Sequence, residues 1–186
     1  MSSVVERTRS AASSSILTVV ILGIDPGSRI TGYGLVRTEG NRLHCLDYGG
    51  IKLTGGSEAS NFPNRLKQIY DQLSLVLDQY SPTAMAVEDI FYAVNVKSVL
   101  KLGHTRGVVL LLAAQFDIPL IEYSPTAVKK AVVGYGRADK VQIQNMVCTL
   151  LNLKEKPQPH DASDALAVAL CHIFSSSRNQ QLKKHG

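Results

Sequence analysis

Two acidic residues directly follow short, mostly apolar runs, at the points where buried strands are expected to end. Asp25 closes the run 17–24 and precedes Pro26-Gly27, a pair that imposes a sharp turn. Glu88 follows the apolar run 84–87. If these two strands are adjacent and parallel, Asp25 and Glu88 lie side by side, and such carboxylates repel each other unless a cation occupies the gap. The chemistry indicated is therefore cation binding.

Both residues also have a more ordinary interpretation. An aspartate before Pro-Gly most often hydrogen-bonds its own turn, and Asp25 taken alone fits that role. Glu88 and Asp89 could equally form a solvated acidic loop. Asp89 is expected to point away from Glu88, because successive residues of a strand face opposite sides. Neither signal is specific by itself.

A third acidic segment stands at the start of a predicted helix. Asp161 and Asp164 are three residues apart, so both side chains lie on one face of its first turn. Acids are common at helix N-termini, where each one stabilises the helix by about 0.3–1 kcal/mol. This pair, however, borders a stripe of small apolar residues that includes Ala165 and Ala169. We therefore expect the pair to face the buried side of the helix.

The elements that must bring these acids together follow from hydrophobic periodicity and turn residues. Predicted strands span residues 17–25, 31–37, 43–53, 84–87 and 118–121. Predicted helices span residues 62–80, 96–116, 125–133, 140–151 and 161–174, and Ser60 or Asn61 is the N-cap of the first. Three strands joined by tight turns, followed by alternating strands and helices, predict an α/β fold. Its mixed five-stranded sheet has an antiparallel edge and a parallel centre, flanked by helices, as in the ribonuclease-H-like architecture.

Length and composition restrict the class of protein. With 186 residues, 45% of them hydrophobic, the chain suits one globular domain, predicted at 17–176 between a disordered leader at 1–16 and a basic flexible tail at 177–186. No apolar run is long enough for a transmembrane helix, and the apolar stretch before Asp25 makes a poor signal peptide. Three scattered cysteines without a Cys-x-x-Cys motif disfavour disulfides and zinc, and they favour the cytoplasm.

The net charge of +5 is carried mostly by the two ends of the chain. Residues 16–176 hold 15 basic and 14 acidic side chains, which leaves the domain nearly neutral. If four of those acids lie under two divalent cations, the metal-loaded domain becomes clearly positive, as a partner of polyanionic nucleic acid should be.

The three acidic segments, in this order and at these intervals, resemble the RuvC family of Holliday junction resolvases, and the resemblance covers residues 19–174. It is carried by GIDPGSRITGYG, AVEDIF, KLGHTRG, TAVKKAVVGYGRADK and HDASDALAVAL. The resemblance implies that the catalytic, metal-binding acids are Asp25, Glu88, Asp161 and Asp164. Some members of the family carry histidine at the position of Asp161, which leaves open whether His160 assists that ligand.

The chemistry that follows is phosphodiester hydrolysis. Two Mg²⁺ ions per subunit, replaceable by Mn²⁺, are expected to lower the pKa of a water and to stabilise the leaving oxygen. The resemblance implies symmetric resolution of four-way junction DNA in recombination and repair, with 5′-phosphate and 3′-hydroxyl products. It also implies a homodimer, to which the unusually apolar helix 96–116 is expected to contribute, and the RuvA and RuvB branch-migration complex as further partners.

Candidate DNA contacts lie close to these acids in the chain. Phe91 and Tyr92 follow Glu88, and the resemblance implies that the aromatic ring at Phe91 stacks on an unpaired base, although aromatics after a strand are more often core residues. A basic stretch near residues 129–140 could hold phosphates, although charge runs are usually solvated faces. The resemblance carries over Lys129 and Lys140, and Arg137 belongs to the same stretch.

Two alternatives remain open. One is a catalytically silent protein that binds junctions and retains the fold. The other is an actin-like or Hsp70-like nucleotide-binding domain, which also opens with a strand, an aspartate and a glycine turn, but needs a second half that this length does not provide.

Overall fold

The structure, a computed structural model, describes residues 18–27, 29–52, 62–89 and 96–184, except for the side chains of 96–97 and 179–184. The strands are β1 (Thr18–Asp25), β2 (Ile30–Glu39), β3 (Arg42–Lys52), β4 (Ala84–Glu88) and β5 (Leu120–Tyr123). The helices are α1 (Phe62–Tyr80), α2 (Val96–Gln115), α3 (Pro125–Val133), α4 (Lys140–Leu151) and α5 (His160–Lys184). The predicted leader, the predicted N-cap of α1, Phe91 and Tyr92 lie outside the described residues.

The five strands form one sheet in the order β3-β2-β1-β4-β5. The hairpin strands β1, β2 and β3 pair antiparallel, while β1 pairs with β4, and β4 with β5, in parallel. The predicted mixed five-stranded sheet flanked by helices is confirmed. Because β1 and β4 are adjacent and parallel, their C-terminal ends lie at the same edge of the sheet.

Helices cover both faces of the sheet and form a separate core on each face. One core joins α3, α4 and α5 to the sheet, and Ile21, Ala86 and Leu166 belong to it. The other joins α1 and α2 to the opposite face. Within the described part of the chain, no helix has both the length and the apolar character that crossing a bilayer requires.

Several predicted bounds differ from the observed ones by one or two residues, and two elements differ in a way that has a structural cause. The strand expected at 118–121 lies at Leu120–Tyr123, because residue 118 still closes α2: its N–H donates to the carbonyl of Ala113 at 2.9 Å. The last helix was expected to end at residue 174 but continues to Lys184. Ser176 and Ser177 both donate side-chain hydrogen bonds to the Ile173 carbonyl, so both hydroxyls have a partner on the backbone of the helix itself. The flexibility of 177–186 stays a prediction.

Candidate active site

Helix α5 lies directly on the backbone of the central strands, and this contact sets the position of its acids. A Cβ atom added to Gly23 would lie 2.0 Å from the carbonyl oxygen of Ala165, and one added to Gly32 would lie 2.0 Å from that of Asp161. Only residues without a side chain allow so close an approach. Since Gly32 is also the β2 partner of Asp25, the start of α5 lies over the end of β1.

The carboxylate of Asp161 borders the turn that ends β1. Its Oδ1 atom lies 3.5 Å from the position that a Cβ atom of Gly27 would occupy. Asp161 and Asp164 are both half-buried in the first turns of α5. The prediction that this pair faces the sheet agrees with that burial.

Glu88 reaches the same edge from β4. The parallel register pairs Ile24 with Val87, so the next residues along the two strands are Asp25 and Glu88. Side chains alternate along a strand, and Asp25 and Glu88 therefore share the face that α5 covers. Each of the two strands thus delivers one carboxylate to this place.

The pKa of Asp25 responds to burial and to the charges of the other three acids. Burial, followed by the negative charges of Glu88, Asp164 and Asp161, raises the pKa of Asp25 from 3.8 to about 8, against a smaller opposing effect of Lys140. At neutral pH the isolated site therefore retains a proton that a solvated aspartate would have lost. A carboxyl group in this state is set up to exchange its proton for a metal cation.

The neighbouring acids are perturbed in the same direction. Burial raises the pKa of Glu88, with a contribution from Asp164, while Lys140 and Lys129 lower it. Burial also raises the pKa of Asp164, against Lys140 and with Asp161 adding to the rise. Four carboxylates and two lysines therefore belong to one electrostatic cluster.

The chemistry of this donor set suits Mg²⁺ or Mn²⁺. All four candidate ligands offer carboxylate oxygens, which these hard cations prefer, and the mutual repulsion of the acids is what a bound cation would relieve. Among the residues that the structure describes, no three His, Cys, Asp or Glu side chains converge as tightly as in a formed metal site. The strands β1 and β4 and the start of α5 thus bring the four carboxylates to one edge of the sheet.

Lysine 140 stands at the rim of the acidic cluster. Its Nζ atom lies 3.6 Å from Oδ2 of Asp164, while 82% of its side chain remains exposed. Asp139, directly before it, is the N-cap of α4: its Oδ1 accepts from the N–H of Gln142, whose side chain accepts from the Asp139 N–H. The only acid within the basic stretch is therefore engaged in a cap.

The other basic candidates differ in their distance from the acids. Lys129, on α3, lowers the pKa of Glu88 and so lies within reach of its charge. Arg137 is exposed in the loop between α3 and α4 and contributes to none of the raised pKa values of the acids. The structure brings Lys129 and Lys140 to the acidic edge, but not Arg137.

His160 is held by a buried amide. The Nε2 atom of Gln144 lies 3.3 Å from Nδ1 of His160 and 3.4 Å from the carbonyl of Pro157. The amide nitrogen of Gln144 thus lies within hydrogen-bonding distance of both the ring of His160 and the backbone of the loop that precedes α5. This ring stands at the first position of α5, beside Asp161.

Asp89 points to the opposite face of the sheet, as predicted. There its Oδ1 atom lies 3.5 Å from Nη1 of Arg106, a residue of α2. The same guanidinium pairs with Glu122 and donates to the backbone carbonyl of Glu88. Sequence reasoning missed Arg106, although the only arginine of the predicted helix 96–116, which follows the acid pair Glu88-Asp89 in the sequence, could have suggested an ion pair.

The outer face of α2 is apolar and exposed. Leu100 and Leu111 are each 57% exposed, and they line an open groove of about 560 Å³ together with Val99, Gly103, His104, Gly107 and Val108. Among the residues that the structure describes, none has an atom within 4 Å of a Cβ added to Gly103 or Gly107. This groove lies on the opposite side of the sheet from the acids.

Comparison with known proteins agrees with this arrangement. The model of the family "Crossover junction endodeoxyribonuclease RuvC" matches residues 21–172. The RuvC of Syntrophotalea carbinolica is 56% identical over 162 residues, 87% of this chain and 98% of the relative. That of Alkaliphilus oremlandii is 50% identical over 165 residues, 89% of this chain and 99% of the relative.

Solved structures give the same result. Thermus thermophilus RuvC, solved in complex with a Holliday junction substrate, superposes with a TM-score of 0.80 at 34% identity, covering 87% of this chain and 96% of that one. The yeast mitochondrial Holliday junction resolvase Ydc2 shares the fold, with a TM-score of 0.65 at 15% identity, over 89% of this chain and 82% of that one. The chain belongs to the RuvC family of crossover junction endodeoxyribonucleases.

Proposed function

We propose that this protein resolves Holliday junctions by Mg²⁺-dependent hydrolysis of one phosphodiester bond in each of two strands. The observation that supports this most is the cluster of four carboxylates at one sheet edge, where burial and mutual repulsion raise the pKa of Asp25 to about 8. The names of the relatives and the junction complex of the Thermus thermophilus protein support the substrate. The cytoplasmic location stays a prediction.

Each acid has a distinct part in this proposal. Asp25, at the end of the central strand β1, would be the ligand common to two ions, Glu88 would hold one of them, and Asp161 with Asp164 would hold the other. When bound, two Mg²⁺ ions supply a water of lowered pKa and positive charge that stabilises the leaving 3′ oxygen. The tight contact of α5 with the sheet fixes where these ligands stand before any ion arrives. The products are a 5′-phosphate and a 3′-hydroxyl.

The basic residues at the rim bind the DNA backbone. Lys140 is exposed and lies beside Asp164, so its ammonium can contact a phosphate placed next to the acids. Lys129 adds a second positive charge on the Glu88 side. Arg137, further out in the exposed loop, contacts phosphate away from the scissile bond.

The junction is recognised next to the acids. Phe91 and Tyr92 follow β4 by three and four residues, which keeps them within a short length of chain from Glu88. An aromatic ring there stacks on a base left unpaired at the crossover, a contact that a continuous duplex does not offer. We therefore propose that Phe91 recognises the junction by stacking on a base and not by hydrogen bonds to base edges. Tyr92, the next residue in the sequence, is the second aromatic candidate for this contact.

Two identical sites require two copies of the chain. The exposed apolar groove along α2 is the surface that we assign to a homodimer, since burying Leu100 and Leu111 removes apolar area from water. A two-fold dimer presents its acidic edges at a fixed separation, which suits symmetric cutting of a four-way junction. RuvA and RuvB are the branch-migration partners that we propose for the assembled dimer.

A labelled four-way junction tests the proposal directly. The protein is incubated with the junction and with linear duplex of equal length, in Mg²⁺ or in EDTA, and the nicked products are then sealed with ligase. We expect paired cuts that ligase can seal in the junction incubated with Mg²⁺. The linear duplex should stay intact, and so should the junction in EDTA. Junction binding without cuts would favour the silent binder, and ATP binding without junction binding would favour the nucleotide-binding alternative.

A further inference from the structure

The side chain of Arg106 lies beneath the edge that carries the acidic cluster, and only 14% of it is exposed. Its Nη1 atom donates a hydrogen bond of 3.1 Å to the backbone carbonyl of Glu88 and lies 3.5 Å from Oδ1 of Asp89. Its Nη2 atom pairs with Oε2 of Glu122 on β5. One guanidinium thus connects α2 with the ends of β4 and β5.

The Glu88 carbonyl needs this donor because β1 cannot supply one. The parallel register pairs Gly23 with Ala86 and Ile24 with Val87. Continuing that ladder, the next N–H due to the Glu88 carbonyl comes from residue 26, which is proline and has none. On the other side, the N–H of Asp89 already donates to Tyr123 at 2.8 Å. Arg106 occupies the place where the strand ladder lacks a donor.

Arg106 acts on Glu88 through the main chain. The Glu88 side chain faces Asp164 and Lys140 on the α5 side, whereas Arg106 approaches from the α2 side and does not contribute to the pKa shift of Glu88. Asp89 and Glu122 hold the guanidinium in place and balance its charge.

We propose that Arg106 is a positioning residue for metal binding: it fixes the last residue of β4 so that the Glu88 carboxylate stays directed at the cation site on the opposite face. This inference rests on the proposed function. Without the guanidinium, the end of β4 loses its donor on the β1 side, and Glu88 samples orientations that bind no cation. Metal affinity then falls while the sheet and both cores remain.

The test compares Arg106→Met with wild type and with Lys67→Met. Methionine keeps an unbranched apolar stem suited to a helix but removes every donor. Lys67→Met is the matched control, because it removes one cation from an exposed helix pair with Asp71 on α1. Binding of Mn²⁺ to the metal-free protein is measured by calorimetry, junction binding is measured in EDTA, and the fold is checked by circular dichroism.

We expect Arg106→Met to bind Mn²⁺ about 10- to 100-fold more weakly, as is typical when a residue supporting a metal ligand is removed. Junction binding in EDTA should stay within about twofold of wild type, and cleavage should recover at raised Mg²⁺ if support of a ligand is what was lost. Lys67→Met should match wild type in all three measurements. Unchanged Mn²⁺ affinity in a folded Arg106→Met protein would overturn the assignment.

Two milder variants decide the matter if Arg106→Met does not fold. Arg106→Lys keeps a positive charge and a donor but loses the forked guanidinium that contacts Glu88, Asp89 and Glu122. Glu122→Gln keeps the hydrogen bond from Arg106 to Glu88 but weakens the ion pair that holds the guanidinium. We expect Mn²⁺ affinity to fall in both, and further in Arg106→Lys; wild-type affinity in both contradicts the proposal. A wild-type protein that binds no Mn²⁺ would refute the proposed function itself. This outcome differs from wild-type Mn²⁺ affinity in the Arg106 variants, which would refute only the role of Arg106.

Discussion

The two faces of the sheet are covered by helices in opposite ways. On one face, α5 presents Ala162, Ala165 and Ala169, all fully buried, to glycines of β1 and β2, so that helix and strand backbones touch. On the other face, α1 packs large aliphatic side chains such as Ile69 and Leu73 against the sheet. All four acids belong to the first face.

This difference indicates that one core positions the acids and that the other contributes mainly to stability. Large side chains bury much apolar area but hold a helix at a distance, and they can repack when one of them changes. Backbone contact through glycine and alanine buries less area per residue but leaves no room for displacement. The face that carries the acids is therefore built for position, and the face of α1 and α2 for stability.

The largest expected effect is that of Asp25→Asn on the functional face. Cleavage of a junction should fall to the background of the assay, because the variant lacks the ligand that we propose for both ions. The metal-free variant should melt several degrees higher than wild type at pH 7.5, since it removes a carboxyl group whose pKa is raised to about 8. Gel assays and thermal melts in EDTA measure the two effects.

Asp71→Asn is the control for that variant, because it removes one exposed negative charge from α1. It should change neither cleavage nor melting temperature appreciably. A melting temperature of Asp25→Asn at or below that of wild type would show that the carboxylates do not crowd one another.

Next in size is a pair of core substitutions, one on each face. Gly23→Ala places a methyl group 2.0 Å from a backbone oxygen of α5, which must move, at an expected cost of about 3 kcal/mol or more. Leu73→Ala, in the opposite core, should cost about 2–5 kcal/mol by leaving a cavity. Urea unfolding measures both costs.

The informative comparison within this pair is Mn²⁺ binding at a temperature where both variants are folded. We expect Gly23→Ala to bind Mn²⁺ at least tenfold more weakly and Leu73→Ala to bind it like wild type. Equal losses of Mn²⁺ affinity in the two variants would contradict the separate roles of the two faces.

A third prediction concerns the pH dependence of stability. Folded Asp25 keeps its proton to about pH 8, whereas the unfolded chain loses it near pH 3.8. The folded state therefore binds more protons between these values, and the free energy of unfolding of the metal-free protein should decrease as pH rises from 4 to 8, by an amount on the order of 4 kcal/mol. Urea titrations in EDTA at several pH values measure this slope.

The raised pKa values of Glu88 and Asp164 act in the same direction. Saturating Mg²⁺ should flatten the profile or reverse it, because bound cations favour the ionised carboxylates. Stability in EDTA that increases from pH 4 to pH 8 would contradict the buried acidic cluster.

The smallest expected effect lies on the outer surface of α2. Leu111→Asp places a charge in the exposed apolar groove and should weaken self-association by at least about tenfold, because an interface cannot bury an unpaired charge cheaply. Sedimentation measures the change. The free energy of unfolding of the dilute protein should stay within about 0.5 kcal/mol, since Leu111 is more than half exposed. Unchanged self-association of Leu111→Asp would place the dimer surface elsewhere, and a monomeric wild-type protein would contradict the homodimer.

Much of the fold could be predicted from local signals. The steps of three and four between Phe62 and Tyr80 predict α1 with the bounds that the structure has, and the turn at Pro26-Gly27 predicts where β1 ends. The apolar runs that end in Asp25 and Glu88 also predict neighbouring strand ends, in agreement with the parallel register of β1 and β4. These features depend on residues close together in the sequence or on simple sheet geometry.

Other features depend on contacts between distant segments. The direct contact of Gly23 with Ala165 requires knowing which face of β1 meets α5. The tie between Arg106 and Glu88 depends on the register that leaves proline opposite a carbonyl. The two-residue shift of β5 follows from the hydrogen bond that closes α2. Periodicity carries no record of such pairings.

Helix α2 has an exposed apolar groove on its outer face and, on its inner side, the arginine that reaches Glu88. If that face joins the two copies, then pairing steadies the helix from which each Glu88 is held. A solitary subunit would bind magnesium poorly and seldom nick DNA. The chromosome would thereby be spared the single-strand breaks that a lone resolvase could leave behind.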